Sequence, residues 1–250
     1  MPLVLGLSIV LQFICLVHMV RSGRPYWWIW IIMLGSYLGV AVYFFTQIVP
    51  DLQTNPAARR AVRNVQRSLD PERERKRIAA ELEVADTVGN RSRLAQESLA
   101  LGDYANAEAL FAACLKGPHR TDPDLMLGLA HAQFGRADHA AAKATLESLK
   151  QSNPNYRSTD GHMIYARCVE ALGDIDGALK EYAVLADSFP GEEGRMRYGL
   201  LLRNSGREPE ARAVFKNVLA RAKVAPRYYQ RDNREWIERA RAESAGSDAC

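Results

Sequence analysis

The chain has 250 residues, 48% of them hydrophobic, and a formal net charge of +4, which leaves room for one or two domains. Its arginines alternate with Asp and Glu and form no uniform basic block, so the electrostatic footprint of a nucleic-acid binder is excluded. A mean hydropathy of only −0.23 requires the apolar residues to be unevenly spread, and residues 3–20 and 25–49 are two nearly uninterrupted apolar runs.

The first run, "LVLGLSIVLQFICLVHMV", is about the length at which a helix crosses a bilayer. It lacks the preceding positive charge and the following small-residue cleavage site of a secretory signal. Cys15 follows "QFI", a poor lipoprotein signal. The second run, "PYWWIWIIMLGSYLGVAVYFFTQIV", would span ~37 Å as a helix at about 1.5 Å per residue. That exceeds a ~30 Å hydrocarbon core, and tilt absorbs the excess. So does the belt of Tyr26, Trp27, Trp28 and Trp30 at headgroup level. Residues 21–24, "RSGR", suffice only for a tight turn. Residues 1–52 therefore read as a transmembrane helical hairpin that meets lipid through residues 3–49.

Gly35 and Gly39 share one face of the second helix, and small residues there let another helix approach closely. The favoured partner is the chain's own first helix; the alternative is a second copy, which would make a homodimer through the hairpin. Arg21 and Arg24 in the loop are outnumbered by Arg59, Arg60, Arg63, Arg67, Arg73, Arg75, Lys76 and Arg77 beyond the second helix. The positive-inside bias thus places both ends in the cytoplasm.

The stretch "RSGRPYWWIWIIMLGSYLGVAVYFFTQIVPDL" resembles the N-terminal two-helix segment of bacterial cardiolipin synthases and of other membrane-anchored proteins, over about a fifth of the chain. The resemblance implies a two-pass anchor in the bacterial inner membrane. It also raises phosphatidyl transfer of the phospholipase-D type, whose nucleophilic histidine lies in an H-x-K-x4-D motif. The five histidines here begin "HMV", "HRT", "HAQ", "HAA" and "HMI", and none has lysine two residues on. The anchor is present without the catalytic motif.

Residues 53–87 read as a helical connector. Asp70 as N-cap, Pro71 at the first helical position and Glu72 and Glu74 in the first turn predict a helix over 71–87, with a shorter one before it. The arginine face of residues 59–67 either meets anionic lipid, at ~1 kcal/mol per basic residue, or is a solvated face that sets topology.

From residue 88 the chain repeats itself. "GDYANAEALF", "GRADHAAAKA", "GDIDGALKEY" and "GREPEARAVF" begin at Gly102, Gly135, Gly173 and Gly206, spaced 33, 38 and 33 residues apart. Five residues after the glycines come Ala107, Ala140, Ala178 and Ala211, and four further on Phe111, Ala144, Tyr182 and Phe215. Seven residues before them stand Ala95, Gly128, Ala166 and Gly199, each preceded by Leu94, Leu127, Tyr165 or Tyr198. This pattern resembles the tetratricopeptide repeat. The opening tryptophan is missing from every copy, Ala144 breaks the aromatic position, and the spacing of 38 implies an insertion near "QSNPNYRSTD".

The resemblance implies an all-α solenoid over 88–226, made of helix pairs at about 88–121, 121–154, 159–192 and 192–225. Small residues would face each other where the two helices of a pair cross, the glycine would turn the chain between them, and pairs would stack because none buries enough surface alone. Residues 227–250 read as a capping helix and tail. Tyr229, Trp236, Ile237 and Ala240 share its apolar face and Asn233 interrupts it. Trp236 is read as a cap residue, with a ligand anchor as the alternative.

The family also implies a concave groove, lined by the first helix of each pair, that holds a protein or peptide. Gln96, Leu129, Gln133, Met163, Arg167, Glu170, Met196, Arg203 and Asn204 are the candidate lining; the plain alternative for each is a solvated helix face. Arg167 and Arg203 are the candidate polar anchors, because a planar guanidinium binds carboxylates bidentately. Arg167 alternatively pairs with Glu170 on its own helix.

Cys15, Cys114, Cys168 and Cys250 form no CxxC pair and read as unpaired thiols; Cys250 in last place makes no prenylation motif. His131 reads as a core histidine. No nucleophile elbow, phosphate loop, HExxH or paired-carboxylate constellation occurs, and no cofactor or metal is expected. The expectation is a non-enzymatic, membrane-anchored scaffold; the alternative is a non-catalytic accessory or diverged component of phospholipid (cardiolipin) metabolism.

Overall fold

The computed structural model describes residues 12, 13, 15–20, 26–34, 39, 42–48 and 70–247. The chain divides into two compact units, Met1–Arg73 and Glu74–Cys250. Among the described residues it is helical throughout and contains no strand.

In the first unit, Trp28–Leu34 forms α1 and Phe44–Ile48 a π-helical segment. Cys15 and Met19 from the first apolar run pack with Trp28, Ile32 and Tyr43 from the second. The Trp28 ring meets Tyr43 edge-on at 5.2 Å. Polar groups join the same two runs. Gln12 donates to the Ile32 carbonyl at 3.1 Å, and His18 Nδ1 lies 3.1 Å from the Tyr43 hydroxyl.

No helix among the described residues is long and apolar enough to cross a membrane. Of the helix the sequence predicts over 25–49, the described residues 28–34, 39, 42 and 43 are α-helical and Phe44–Ile48 is π-helical. Gly35, the turn at residues 21–24 and the arginines at 59, 60, 63 and 67 lie outside the described residues. Gly39 is buried, and a Cβ there would run into the Ile31 carbonyl. Its small size thus serves a close approach within its own segment.

The second unit opens with α2, Arg73–Val84. It is shorter than the predicted 71–87, because Thr87 belongs to the next helix: its hydroxyl accepts from Asn90 N–H at 3.1 Å. Four helix pairs follow: α3, Val88–Ala100, with α4, Tyr104–Cys114; α5, Pro123–Gly135, with α6, His139–Ser152; α7, Thr159–Ala171, with α8, Ile175–Ser188; and α9, Glu193–Asn204, with α10, Glu208–Val224. Asp103, Asp138 and Asp174 cap the second helices of the first three pairs, each accepting a backbone N–H of the first turn. Arg207 stands in that place in the fourth without a side-chain cap.

The turns between paired helices correct the sequence alignment. The left-handed residues are Gly102 at φ 79°, Ala137 at 62°, Gly173 at 86° and Gly206 at 77°. The second turn is built on Ala137, not Gly135, so the repeats are spaced 35, 36 and 33 residues apart and the inferred insertion disappears. In this register Ala107, Ala142, Ala178 and Ala211 are equivalent, and all are fully buried. Ala140 and Ala144, which the sequence placed there and in the ring position, are exposed; Leu146 fills the place of Phe111, Tyr182 and Phe215. Gly135 is small for another reason: the Tyr104 ring occupies the space its Cβ would need. An L-residue in the left-handed region costs roughly 1–2 kcal/mol. Ala137→Gly is therefore expected to stabilise the solenoid by about 1 kcal/mol, read as a higher thermal midpoint; an unchanged or lower midpoint would argue against the turn at Ala137.

The core runs within each pair and on from each pair to the next. Phe111 and Cys114 of α4 pack with Leu125 and Ala132 of α5. Leu146 and Leu149 of α6 pack with Ile164 and Cys168 of α7. Tyr182 and Leu185 of α8 pack with Met196 and Leu202 of α9. Each pair thus completes its neighbour's core, which is what holds such an array together. Cys114 and Cys168 are free and buried. Burial pushes the Cys168 thiol up to about 11, which keeps it protonated and unreactive at neutral pH.

The array ends in α11, Arg227–Asp232, and α12, Arg234–Ser247. Trp236 and Ala240 pack on the last core cluster, and Arg197 lies over the Trp236 ring at 5.4 Å. Asn233 interrupts the apolar face because it is a joint: it accepts Glu192 N–H at 2.8 Å and donates to the Tyr229 carbonyl at 3.0 Å.

Candidate binding groove

Six residues before each left-handed turn residue stand Gln96, His131, Arg167 and Leu200; three before stand Leu99, Phe134, Glu170 and Arg203. A contact brings the α5 and α7 positions to a common side. The Arg167 guanidinium lies over the Phe134 ring at 4.4 Å. Its proton affinity is lowered by burial first and then by the positive charge of Arg197. The Phe134 ring also meets the His139 ring at 5.3 Å.

The residues expected to line the groove divide into two groups. Gln96 and Asn204 are exposed, and Arg167, Glu170 and Arg203 are half-buried. Met163 and Met196, at 4% and 0% exposure, belong to the core, where unbranched thioether side chains fill the space between neighbouring helices. Gln133 is 9% exposed and faces α6, accepting the Thr145 hydroxyl at 2.8 Å. Leu129 packs on the first core cluster and is the counterpart of Leu94, Tyr165 and Tyr198. The last two misplacements share a cause, since both residues were counted from Gly135 and so lie two positions out of register. Counting from Ala137 would have put His131 and Phe134 in the row.

Glu170 and Arg203 of the row, and Arg197 on α9, have definite partners. Glu170 accepts the Tyr182 hydroxyl at 2.6 Å, not Arg167. Arg203 is ion-paired with Glu243 of α12. Arg197 donates to Glu193 at 2.7 Å. Among the described residues Arg167 is ion-paired with no carboxylate.

His131 is half-buried rather than core. Burial lowers its affinity for a proton, and Asp160 opposes the shift more weakly. The folded-state value is therefore below the unfolded value of about 6.5. The unfolded chain then binds the extra proton first, so this contribution to stability is complete above pH ~6.5 and is lost as pH falls below it. His131→Gln is expected to flatten the decline of the thermal midpoint between about pH 7.5 and 5.5. An unaltered pH slope would mean that another group carries it.

Residues 98–168, from late α3 into α7, match the tetratricopeptide repeat family. Among solved structures the chain is similar to MamA, with 19% identity, a TM-score of 0.52 and coverage of 60% of this chain and 86% of that one. It is also similar to YrrB, described as a TPR protein with an unusual peptide-binding site, with 17% identity, a TM-score of 0.50 and coverage of 70% and 91%. At such identities the likeness is one of fold: an all-α solenoid of tetratricopeptide type. No curated protein matches the chain.

Proposed function

We propose that this chain is a non-enzymatic, membrane-anchored scaffold whose solenoid holds a protein or peptide partner along its row of first helices, at the cytoplasmic face of a bacterial inner membrane. The observation that carries the binding role is the row itself. Gln96, His131 and Arg167 recur at one position of successive stacked helices and keep solvent access, the repeated arrangement that suits an extended ligand. The peptide-binding site named for YrrB, a protein of the same fold, favours the same use. The anchor rests on the two apolar runs, and the orientation on the basic residues after the second.

A reporter fused to the C-terminus of the full chain should act as a cytoplasmic one, fluorescing as a green fluorescent protein fusion and remaining inactive as an alkaline phosphatase fusion. The opposite pair of results would overturn the orientation. A proximity-labelling enzyme at the same place in the native host should enrich a partner protein that is lost when the exposed ends of the row are filled by Gln96→Trp and Asn204→Trp. Retention of that protein by the double variant would remove the groove from the account. The resemblance of the anchor to that of cardiolipin synthases keeps a role beside phospholipid metabolism as the second reading. Conversion of phosphatidylglycerol by the purified chain would favour an enzyme over either.

A further inference from the structure

Arg167 forms no ion pair among the described residues; Glu193 attracts it only at longer range, and the carboxylates of this side have other partners. Glu170 holds the Tyr182 hydroxyl at 2.6 Å, Glu193 holds Arg197 at 2.7 Å, and Glu243 holds Arg203. Arg167 itself is half-buried and lies on the Phe134 ring, 4.4 Å from its centroid. A guanidinium stacked on a ring keeps its N–H edge free, and that edge fits the two oxygens of a carboxylate. Partial desolvation strengthens such a pair. His131, one turn before Phe134 on α5, is held towards its neutral form by burial and so does not draw the carboxylate away.

We propose that Arg167, on its Phe134 platform, is the recognition point for an Asp or Glu side chain of the partner segment, so that the groove selects acidic peptides at this repeat. The proposal rests on the peptide-binding reading above and specifies its chemistry. It also separates the two arginines the sequence treated alike: Arg203 already has its carboxylate from α12, while Arg167 awaits one from outside. Charge complementarity names the occupant, a protein segment carrying an acidic side chain.

The test pans the immobilised full-length chain, in detergent micelles, with a displayed library of random dodecapeptides. Recovered sequences should share an Asp or Glu at one position. Changing that acid to its amide in a synthetic peptide should weaken binding to the unaltered protein roughly tenfold or more, the range for a charge-assisted hydrogen bond. Arg167→Met should bring the same loss, with no further loss when acid and arginine are changed together, while Lys216→Ala, on the second helix of the last pair, leaves binding intact. If Arg167→Met does not fold, the peptide change on the unaltered protein still decides. Recovered peptides indifferent to the amide change, yet displaced by Gln96→Trp with Asn204→Trp, would overturn the acidic assignment and leave the groove reading standing. Failure to recover any peptide, or recovery of peptides that bind the filled groove equally well, would overturn both.

Discussion

Ala178→Trp is expected to lower the thermal midpoint of the solenoid sharply, with a loss of ~3 kcal/mol or more. Ala178 is fully buried in α8, in the same cluster as Ala166 of α7, which is also at 0% exposure. The two small side chains set how closely the helices of this pair cross. An indole would force α7 and α8 apart, and the disturbance would reach Tyr182 and Leu185, which carry the core onward to α9. Val184→Trp is the matched control: Val184 lies on the same helix but is 56% exposed, and its substitution is expected to change the midpoint little. Circular dichroism melting of both variants checks the pair. Equal midpoints for Ala178→Trp and the wild type would mean that this position is not a helix crossing.

Glu192→Ala is expected to cost about 2–4 kcal/mol and to release the C-terminal cap first. Its side chain is completely buried, which for a carboxylate requires charged or hydrogen-bonding partners; Oε1 has hydrogen bonds and Oε2 only an ion pair. It accepts the Tyr229 hydroxyl at 2.7 Å and Arg221 Nε at 3.3 Å, and it lies 3.5 Å from Arg195 Nη1. These residues come from α11, α10 and α9, so one carboxylate ties three elements together. Arg221 is half-exposed and can turn to water, which keeps the loss below that of a wholly buried pair. Glu192→Gln should cost less, because an amide oxygen still accepts from Tyr229. Hydrogen exchange should show protection lost in α11 and α12 before the earlier pairs. Uniform loss across all helices, or none, would contradict the role of Glu192 as a latch.

The repeats were legible because their physics is local. A glycine at a left-handed turn and small residues around it leave a mark at fixed spacing, and three of the four turns lie on the glycines read from sequence, Gly102, Gly173 and Gly206. The second was misread because two demands crossed. A glycine was needed at 135 beside the Tyr104 ring, while the turn itself accepted Ala137 at φ 62°, a strain small enough for the surrounding array to absorb. That slip of two positions moved Leu129 and Gln133 into the groove and hid His131 and Phe134.

Other features depended on contacts that spacing does not encode. Met163 and Met196 sit at the same helical position as a groove residue would, and only the neighbouring helix decides that they are covered. Glu192 reads in sequence as one of two acids in "GEEG"; its burial depends on Tyr229 and Arg221, far along the chain. The fate of Arg203 likewise depended on Glu243 of the last helix. In the N-terminal unit, hydropathy marked the two apolar runs, whereas the packing of Cys15 and Met19 on Trp28, Ile32 and Tyr43 is a matter of register between them.

The most direct measurement of the binding role is site-specific photo-crosslinking in the native host, with the crosslinker placed either at Gln96, exposed on α3, or at Lys216, exposed on the second helix of the last pair. A partner held along the first helices should give a discrete adduct with one protein from position 96 and none from position 216. The same adduct from position 216, with none from position 96, would contradict the groove as the binding surface.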